Sequence, residues 1–242
     1  MKLIWLFLCA WALFVSPNFA EAIKPQKADS DCIVMLHGLA RSASSFNKME
    51  ERLQALGYQV VNVDYPSRKQ RIESLANEYI PLAIKSCGDK QIHFVTHSMG
   101  GILVRYYLAH NVMHNLGRVV MLSPPSQGSE VVDKLGNMPG FDAFHGPAGK
   151  QLSTSSESMP NKLGAVDYPV GIITGNRSIN LILSALIPGD DDGKVSIERA
   201  RLEGMTDFLV MPHTHPMIMR SDEVIRQTVL FLQQGKFDDS VK

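Results

Sequence analysis

A serine followed closely by two glycines stands where an apolar run gives way to a helix-like segment. The run covers residues 92–96, and residues 97–101 read His-Ser-Met-Gly-Gly. A nucleophilic hydroxyl has to project from a tight bend into a cleft, and glycine is needed wherever neighbouring backbone comes close to that bend. Gly100 and Gly101 meet this need, so we predict that Ser98 is a nucleophile on a strand-to-helix turn. The alternative is an ordinary turn with a solvated serine.

Thr96 departs from the usual spelling of such a turn, Gly-x-Ser-x-Gly, in which a glycine stands two residues before the serine. The threonine places a methyl and a hydroxyl group where a hydrogen atom is commoner. We expect the turn to form nevertheless. The departure keeps open a reading in which the site has lost its activity.

A second apolar run, residues 32–36, ends in His37-Gly38-Leu39, and a polar loop follows. Acyl transfer develops negative charge on an oxygen atom, and two preorganised backbone N–H groups stabilise that charge. We therefore predict an oxyanion hole formed by the backbone N–H groups of Leu39 and Met99. A metal ligand and a core histidine with satisfied hydrogen bonds are the alternative roles for His37. No acidic or cysteine residue lies at ligand spacing nearby, so we expect it to shape the loop.

Carboxylates and histidines follow further along the chain. Residues 190–192 are three consecutive aspartates in a predicted turn, and His213 and His215 follow the apolar run 207–211. A serine hydroxyl is a poor nucleophile at neutral pH, so it needs a general base, often a histidine that a carboxylate holds in the right tautomer. The chain order is therefore serine, acid, histidine, with three aspartates and two histidines as candidates.

Together these segments resemble the α/β-hydrolase superfamily, and within it the small bacterial lipases and esterases. The resemblance spans nearly all of the chain after residue 22. Its motifs indicate the superfamily, whereas none of them is specific for a substrate. It is carried by His215 and by residues 37–39, 97–101, 124–129 and 192–195.

The resemblance implies a role for each candidate. In the family the acid precedes a glycine and a short strand-like run, which selects Asp192, and the histidine leads into a methionine-containing helix entry, which selects His215. His213 then becomes a bystander. Asp190 and Asp191 are expected in a solvated turn, with a weak calcium site as the alternative because clustered carboxylates suit hard cations.

Strand-like and helix-like segments alternate along the chain, which is typical of a mostly parallel sheet covered on both faces. With the resemblance, this predicts a three-layer α/β-hydrolase fold with a reduced sheet of about six strands and the site at their carboxyl ends. The predicted strands are residues 32–36, 59–63, 91–96, 118–122, 170–174 and 207–211. The predicted helices are residues 44–56, 71–86, 99–111, 129–135 and 222–234.

Residues 136–167 are the least regular stretch and are rich in glycine, proline and serine. We predict an irregular loop that forms part of the substrate cleft or a short cover over it. Its large apolar side chains need something to pack against, and long loops are uncommon unless they are functional or mobile. A plain surface excursion is the alternative.

The amino terminus, residues 1–22, is typical of a secretory signal peptide, because Lys2 precedes an apolar stretch and small residues flank a cleavage position. An uncleaved membrane anchor is the alternative, although the stretch is shorter than the roughly 20 residues that span a bilayer. We predict a secreted or periplasmic protein whose residues 23–242 form one hydrolase domain. The formal net charge of zero gives no basis for binding nucleic acid.

Export also bears on the cysteines. Cys9 leaves with the leader, and Cys32 and Cys87 remain in an oxidising compartment, where disulfides persist. The resemblance places Cys32 on the strand before the oxyanion loop and Cys87 just before the strand that leads to Ser98, and those strands are neighbours in the family's sheet. A Cys32–Cys87 disulfide and two buried free thiols are the two alternatives.

We therefore expect a serine hydrolase that cleaves carboxylic esters through an acyl-enzyme on Ser98, without a cofactor or a metal. The expected substrates are acylglycerols or other short-to-medium acyl esters, met in transient contact with a membrane surface, and no obligate protein partner is inferred. A thioesterase, a lipid or envelope deacylase and an acyltransferase would use the same three side chains. An envelope binding module that kept the fold and lost activity is the alternative from another class.

Overall fold

A single sheet forms the centre of the computed structural model, which describes residues 31–241. The predicted leader, residues 1–22, lies outside the described residues. The strands are β1 (Asp31–Leu36), β2 (Gln59–Val63), β3 (Gln91–His97), β4 (Leu116–Leu122), β5 (Val170–Gly175) and β6 (Asp207–Met211). All neighbouring strands run parallel, in the order β2-β1-β3-β4-β5-β6. The predicted six-stranded parallel sheet is confirmed.

Helices connect the strands, as parallel pairing requires. They are α1 (Asn47–Ala55), α2 (Ile72–Cys87), α3 (Met99–His110), α4 (Glu130–Leu135), α5 (Phe141–Lys150), α6 (Met159–Lys162), α7 (Leu181–Ser184), α8 (Ile197–Ala200) and α9 (Asp222–Gln234). Short 3₁₀ helices occupy Ala43–Phe46, Ile218–Arg220 and Asp239–Val241. Within residues 31–241, none of the helices is both long and apolar enough to cross a bilayer.

The two faces of the sheet bury separate cores. Val34 of β1 belongs to the core that contains Leu75 of α2 and Ile102 of α3. Ile33, the preceding residue, belongs to the core that contains side chains of α1 and α9, Val229 among them. Because successive strand side chains point to opposite faces, the sheet is covered by helices on both sides. The predicted three-layer α/β arrangement is confirmed.

Most predicted element bounds agree with the structure to within two residues. β2, β6 and α9 have the predicted bounds, since their apolar patterns are sharply punctuated by polar or turn residues. The helix predicted for residues 44–56 is divided in the structure into the 3₁₀ helix Ala43–Phe46 and α1.

The prediction of an irregular loop over residues 136–167 is wrong, because α5 and α6 lie within it. Phe141 and Leu152 are buried, so the segment gains the apolar contacts that compensate its poor helix propensity. Gly146 interrupts α5 with a φ of 62°, and a Cβ there would overlap the carbonyl oxygen of Arg68. The segment packs tightly on the loop after β2, which a propensity pattern cannot show.

The structure joins Cys32 to Cys87 by a disulfide. Cys32 lies in β1, which pairs with β3 through the Cys32–Ile92 register, and Cys87 is the last residue of α2, the helix that leads toward β3. The bond therefore ties the amino-terminal end of β1 to the carboxyl end of α2, close to where β3 begins. This is the end of the sheet opposite the carboxyl ends of the strands, where the candidate site is predicted.

Ser98 occupies a sharp turn between β3 and α3. Its φ of 54° and ψ of −122° are uncommon for a residue with a side chain, and such conformations cost about 1–3 kcal/mol each. The Ser98 N–H donates to the carbonyl oxygen of Leu122 at 2.8 Å, which fixes the turn to β4. A Cβ at Gly100 would overlap the carbonyl oxygen of Leu36, so a glycine is required where α3 passes the end of β1.

Replacing Gly100 by alanine is expected to lower the free energy of unfolding by about 1–3 kcal/mol, because β1 or α3 would have to move. Urea denaturation measures this change. The control is Gly101→Ala, where the nearest atoms stand 3.2–3.3 Å from the added Cβ and two of the three belong to side chains that can adjust, Met121 Sδ and Thr96 Oγ1. Since alanine is also the better helix former by about 1 kcal/mol, the control should be nearly neutral. Equal losses in both variants would contradict the packing described for Gly100.

Removing the disulfide by the paired change Cys32→Ala and Cys87→Ala is expected to lower the free energy of unfolding by about 2–4 kcal/mol, since the bond closes a long loop. The bonded residues are 55 positions apart. A reductant should destabilise the wild-type protein by a similar amount and leave the paired variant unchanged. A reductant that has no effect on wild-type stability would argue for free thiols.

Candidate active site

The candidate residues come together at the carboxyl ends of the strands, where open α/β sheets place their ligands. Ser98 follows β3, Leu39 follows β1, His215 follows β6, and Asp192 lies between β5 and α8. Ser98, Leu39 and His215 line one cavity of about 190 Å³. Asp192 is buried beside it.

A buried acid–base pair adjoins this cavity. His215 Nδ1 and Asp192 Oδ2 are 2.7 Å apart. The backbone N–H of His215 also donates to the backbone carbonyl of Asp192, at 2.8 Å. The other carboxylate oxygen accepts the N–H groups of Lys194 and Val195, each at 3.0 Å. Asp192 is thus held at both oxygens, and the imidazole is fixed with its Nε2 edge directed away from the carboxylate.

The charge state of Asp192 follows from opposing effects. Burial raises the pKa of the carboxyl, whereas the charge and hydrogen bond of His215, the hydroxyl of Ser123 and the N–H of Val195 lower it by more. The pKa of Asp192 therefore lies below its ordinary value. The side chain is ionised at neutral pH and can stabilise a positive charge on His215.

The rival residues occupy other places. His213 is not among the residues that line the cavity, and its backbone carbonyl accepts the N–H of Arg177 at 3.2 Å. Asp190 is exposed, as a solvated turn predicts. Asp191 differs from that prediction, because it is buried and accepts the Ser184 hydroxyl at 2.8 Å and the Gly193 N–H at 2.6 Å.

Within residues 31–241, no group of three or more histidine, cysteine, aspartate or glutamate side chains is arranged to hold a metal ion. His37 is buried and uses both ring nitrogens. Its Nδ1 is 2.8 Å from the Gly38 carbonyl, its Nε2 accepts the Tyr65 N–H at 3.4 Å, and its ring stacks on Tyr65. Burial lowers the pKa of His37. These contacts agree with a role in shaping the loop before Leu39.

Of the two residues predicted to supply oxyanion donors, Leu39 lines the same cavity as Ser98, and Met99 follows Ser98 in the chain. Met99 is the first residue of α3, where an N–H has no partner within the helix. Leu39 sits in the turn closed by the Arg41 N–H and the Gly38 carbonyl at 3.3 Å. Among residues 31–241, neither Leu39 nor Met99 uses its N–H in a backbone hydrogen bond of these turns.

His97 is a site residue that the sequence pattern does not indicate. Its Nε2 lies 2.9 Å from the backbone carbonyl of His215, and because a carbonyl only accepts, Nε2 carries the proton. Burial, followed by the charge of His215, holds the pKa of His97 well below its usual range, so the ring is neutral. Its place next to the serine was visible in the sequence, but its partner, 118 residues away, was not.

Ser123 is a second residue that spacing could not reveal. It directly follows β4 with a φ of 47°, is fully buried, and is among the groups that lower the pKa of Asp192. Its hydroxyl contact with the carboxylate is looser than a regular hydrogen bond. Ser123 therefore helps to keep the Asp192 carboxyl ionised.

Thr96 is accommodated where glycine is more usual. The residue is fully buried, and its hydroxyl faces Gly101, where an added Cβ would stand 3.3 Å away. Thr96 is therefore packed close to Gly101 without needing that glycine, since an added Cβ would tighten the contact and not overlap it.

The cavity is mainly apolar, with a few polar groups near Ser98. A second cavity, of about 660 Å³, is lined by residues of α5 and α6, and none of the candidate catalytic residues lines it. The apolar side chains that line the smaller cavity are Leu39, Pro125, Val131, Val132, Leu135, Phe141, Leu152, Leu183 and Val195. Its other lining residues are Arg41, His97, Ser98, Ser129, His145, Lys194 and His215.

Solved structures with the same fold include esterases and lipases. The mature form of Bacillus licheniformis lipase BlEst2 is 22% identical, with a TM-score of 0.62 over 87% of this chain and 90% of that one. Phospholipase PlaB from Legionella pneumophila is 15% identical, with a TM-score of 0.69 over 86% of this chain and 60% of that one. Identities this low show a shared fold.

Sequence comparison adds a relative and a family. Lysosomal thioesterase PPT2-B from Xenopus laevis is 30% identical over 106 residues, a segment that spans 40% of this chain and 36% of that protein's length. The pattern that defines the Alpha/beta hydrolase family matches residues 33–225. With this match over most of its length, and with the sheet order and turn geometry described above, the chain belongs to the α/β-hydrolase family.

Proposed function

We propose that this protein hydrolyses carboxylic esters through an acyl-enzyme on Ser98. The observation that carries the proposal is the buried hydrogen bond of 2.7 Å between His215 and Asp192 beside a cavity that Ser98 also lines. An ionised carboxylate on Nδ1 leaves Nε2 as the basic nitrogen of a neutral imidazole. This is the arrangement that a weak hydroxyl nucleophile requires.

The proposed reaction has two steps. His215 Nε2 takes the Ser98 proton as Oγ attacks the ester carbonyl, and then gives that proton to the departing alcohol. A water molecule repeats the sequence on the acyl-enzyme. Leu39 and Met99 donate their N–H groups to the carbonyl oxygen as it becomes negative, which stabilises the transition state by a few kcal/mol per donor.

The dimensions of the cavity favour short-to-medium acyl groups. Its volume of about 190 Å³ is below the roughly 300–1,000 Å³ of sites that hold drug-sized ligands. Its apolar lining suits an acyl chain, and Ser98 lies where the carbonyl would stand. Acylglycerols and small acyl esters fit this description, in line with the lipases among the structures that share the fold.

Thioester hydrolysis is a second candidate, supported by the similarity to a protein named as a thioesterase. The same residues would act, with a thiol as the leaving group. A deacylase or an acyltransferase would also use them, the latter with an alcohol in place of water. A binding module without activity is disfavoured by the intact Ser98, Asp192 and His215.

The predicted export and membrane contact remain part of this proposal. A disulfide between Cys32 and Cys87 is what an oxidising compartment allows. Apolar side chains are exposed close to the cavity on the segments that line it, with Phe144 69%, Leu181 78% and Ile182 80% exposed. They lie beside the lining residues Phe141 and Leu183, so a lipid surface could be touched at the cavity mouth.

A fluorophosphonate probe tests the nucleophile. We expect covalent labelling of the folded wild-type protein at Ser98, located by peptide mass spectrometry, and no labelling of Ser98→Ala. Substitution at a second serine, Ser129→Ala, is the control, because Ser129 lines the same cavity and donates to the Lys194 carbonyl. A folded wild-type protein that stays unlabelled, and cleaves neither esters nor thioesters, would favour the binding module.

The turnover numbers of two alanine variants distinguish His215 from His213 as the general base. His215→Ala is expected to lower kcat by on the order of 10⁵–10⁶-fold, as loss of the base does in serine hydrolases, since Ser98 would lose its proton acceptor. His213→Ala should keep kcat within roughly tenfold, since it does not line the cavity. Steady-state kinetics on a short-chain ester checks both, and a greater loss at His213 would transfer the role of base.

A further inference from the structure

Two cations line the candidate active-site cavity. Arg41 lies in the loop after Leu39, and Lys194 follows the acid by two residues. Among the residues described, no carboxylate lines this cavity, and neither cation makes an ion pair. Asp192, buried beside the cavity, offsets part of the charge of Lys194, but its carboxylate is already held by hydrogen bonds. Two positive charges that line an apolar cavity without an ion-pair partner are a binding feature for an anion.

The positive charge continues into an adjoining groove. Arg41 also lines this groove, which has a volume of about 340 Å³, together with Arg68 and Lys69 from the loop after β2. Ser42 and Ser67 add hydroxyl groups, and Asp64 is the carboxylate of the lining. Within residues 31–241, Arg68 and Lys69 likewise take part in no ion pair.

The basic groups are close enough to influence one another. Loss of hydration lowers the pKa of Lys194, although the residue keeps exposed surface, and the charge of Arg41 lowers it further, against the opposing effect of Asp192. Burial also lowers the pKa of His145, against the opposing effect of its hydrogen bond to the Phe141 carbonyl, and the charges of Lys194 and Arg68 lower it further. Like charges are therefore gathered around the cavity mouth at an energetic cost that a bound anion would relieve.

We propose that the leaving group of the natural substrate carries a phosphate, which the groove of Arg41, Arg68 and Lys69 binds while the acyl chain fills the apolar cavity. This inference rests on the function proposed above. Three cations with hydroxyl donors between them match a group that bears up to two negative charges and several acceptor oxygens. Arg41 is shared by cavity and groove, so it lies where the acyl part meets the leaving group.

The phosphate takes no part in bond making. The bond between Ser98 Oγ and the acyl carbon forms as the bond from that carbon to the leaving oxygen or sulfur breaks. His215 supplies the proton to that oxygen or sulfur, and water later releases the acid. The cations bind the phosphate before and during the step, so they lower KM or raise kcat/KM for phosphorylated substrates.

Matched substrate pairs test the inference. One pair is hexanoyl glycerol and hexanoyl glycerol 3-phosphate, and the other is the hexanoyl thioester of N-acetylcysteamine and hexanoyl-CoA. All are used below their micelle concentrations, so that adsorption to a surface does not contribute. We expect kcat/KM to be roughly tenfold or more higher for the phosphate-bearing member of one pair, and higher salt to reduce that ratio. The pair that shows the preference identifies the source of the phosphate.

Variants of the groove make the test specific. Arg41→Gln and Arg68→Gln should each lower the phosphate-to-neutral ratio about threefold to tenfold, and the ratio cancels any general loss of activity. The control is Lys85→Gln, an exposed cation in the last turn of α2 that lines neither cavity nor groove and should leave the ratio unchanged. Hydrolysis of the neutral substrates without a phosphate preference in either pair would overturn this inference and leave the proposed function standing. Absence of hydrolysis in all four substrates, with no probe labelling at Ser98, would overturn the proposed function itself.

Discussion

The backbone at Ser98 turns from β3 into α3 in a conformation that a residue with a side chain rarely adopts. Close contacts of glycine residues constrain the backbone on both sides of the turn. Gly100 passes the carbonyl oxygen of Leu36 without room for a Cβ, and a Cβ at Gly38 would stand 2.8 Å from His97 Nδ1. The strain at Ser98 is offset by the stability of the sheet, since β3 lies between β1 and β4 and is hydrogen-bonded to both. The hydroxyl is thereby raised above the carboxyl ends of the strands.

Besides the turn at Ser98, the candidate site requires that the buried carboxylate of Asp192 stays ionised away from water. An unpaired buried charge would cost several kcal/mol, so the carboxylate of Asp192 has to be surrounded by donors. The backbone N–H groups of Lys194 and Val195 and the ring of His215 supply them. His97 completes the arrangement by donating to the carbonyl of His215, which fixes the backbone from which the imidazole projects. Turn geometry and charge are thus coupled, because His97 immediately precedes Ser98 in the chain.

Much of the fold was predictable because short apolar runs bounded by turn residues are strong local signals. β2, β6 and α9 illustrate this, and their bounds agree with the pattern. α5 was not predictable, since its helical turns depend on burial of Phe141, and its position against the loop after β2 depends on the close approach of Gly146 to the Arg68 carbonyl. Individual candidates such as Ser98 were visible in the sequence through motif spacing. The contributions of His97 and Ser123 were not, because they arise from contacts between distant parts of the chain, and the basic groove formed from two separate loops was hidden for the same reason.

The most direct test of the account is a crystal structure of the wild-type protein after reaction with a short alkyl phosphonate ester, whose tetrahedral phosphorus imitates the reaction intermediate. We expect phosphorus bonded to Ser98 Oγ, its anionic oxygen within hydrogen-bond distance of the N–H groups of Leu39 and Met99, and His215 Nε2 facing the leaving-group position. Phosphorus bonded to another residue, or an anionic oxygen that points away from both N–H groups, would contradict the proposed mechanism.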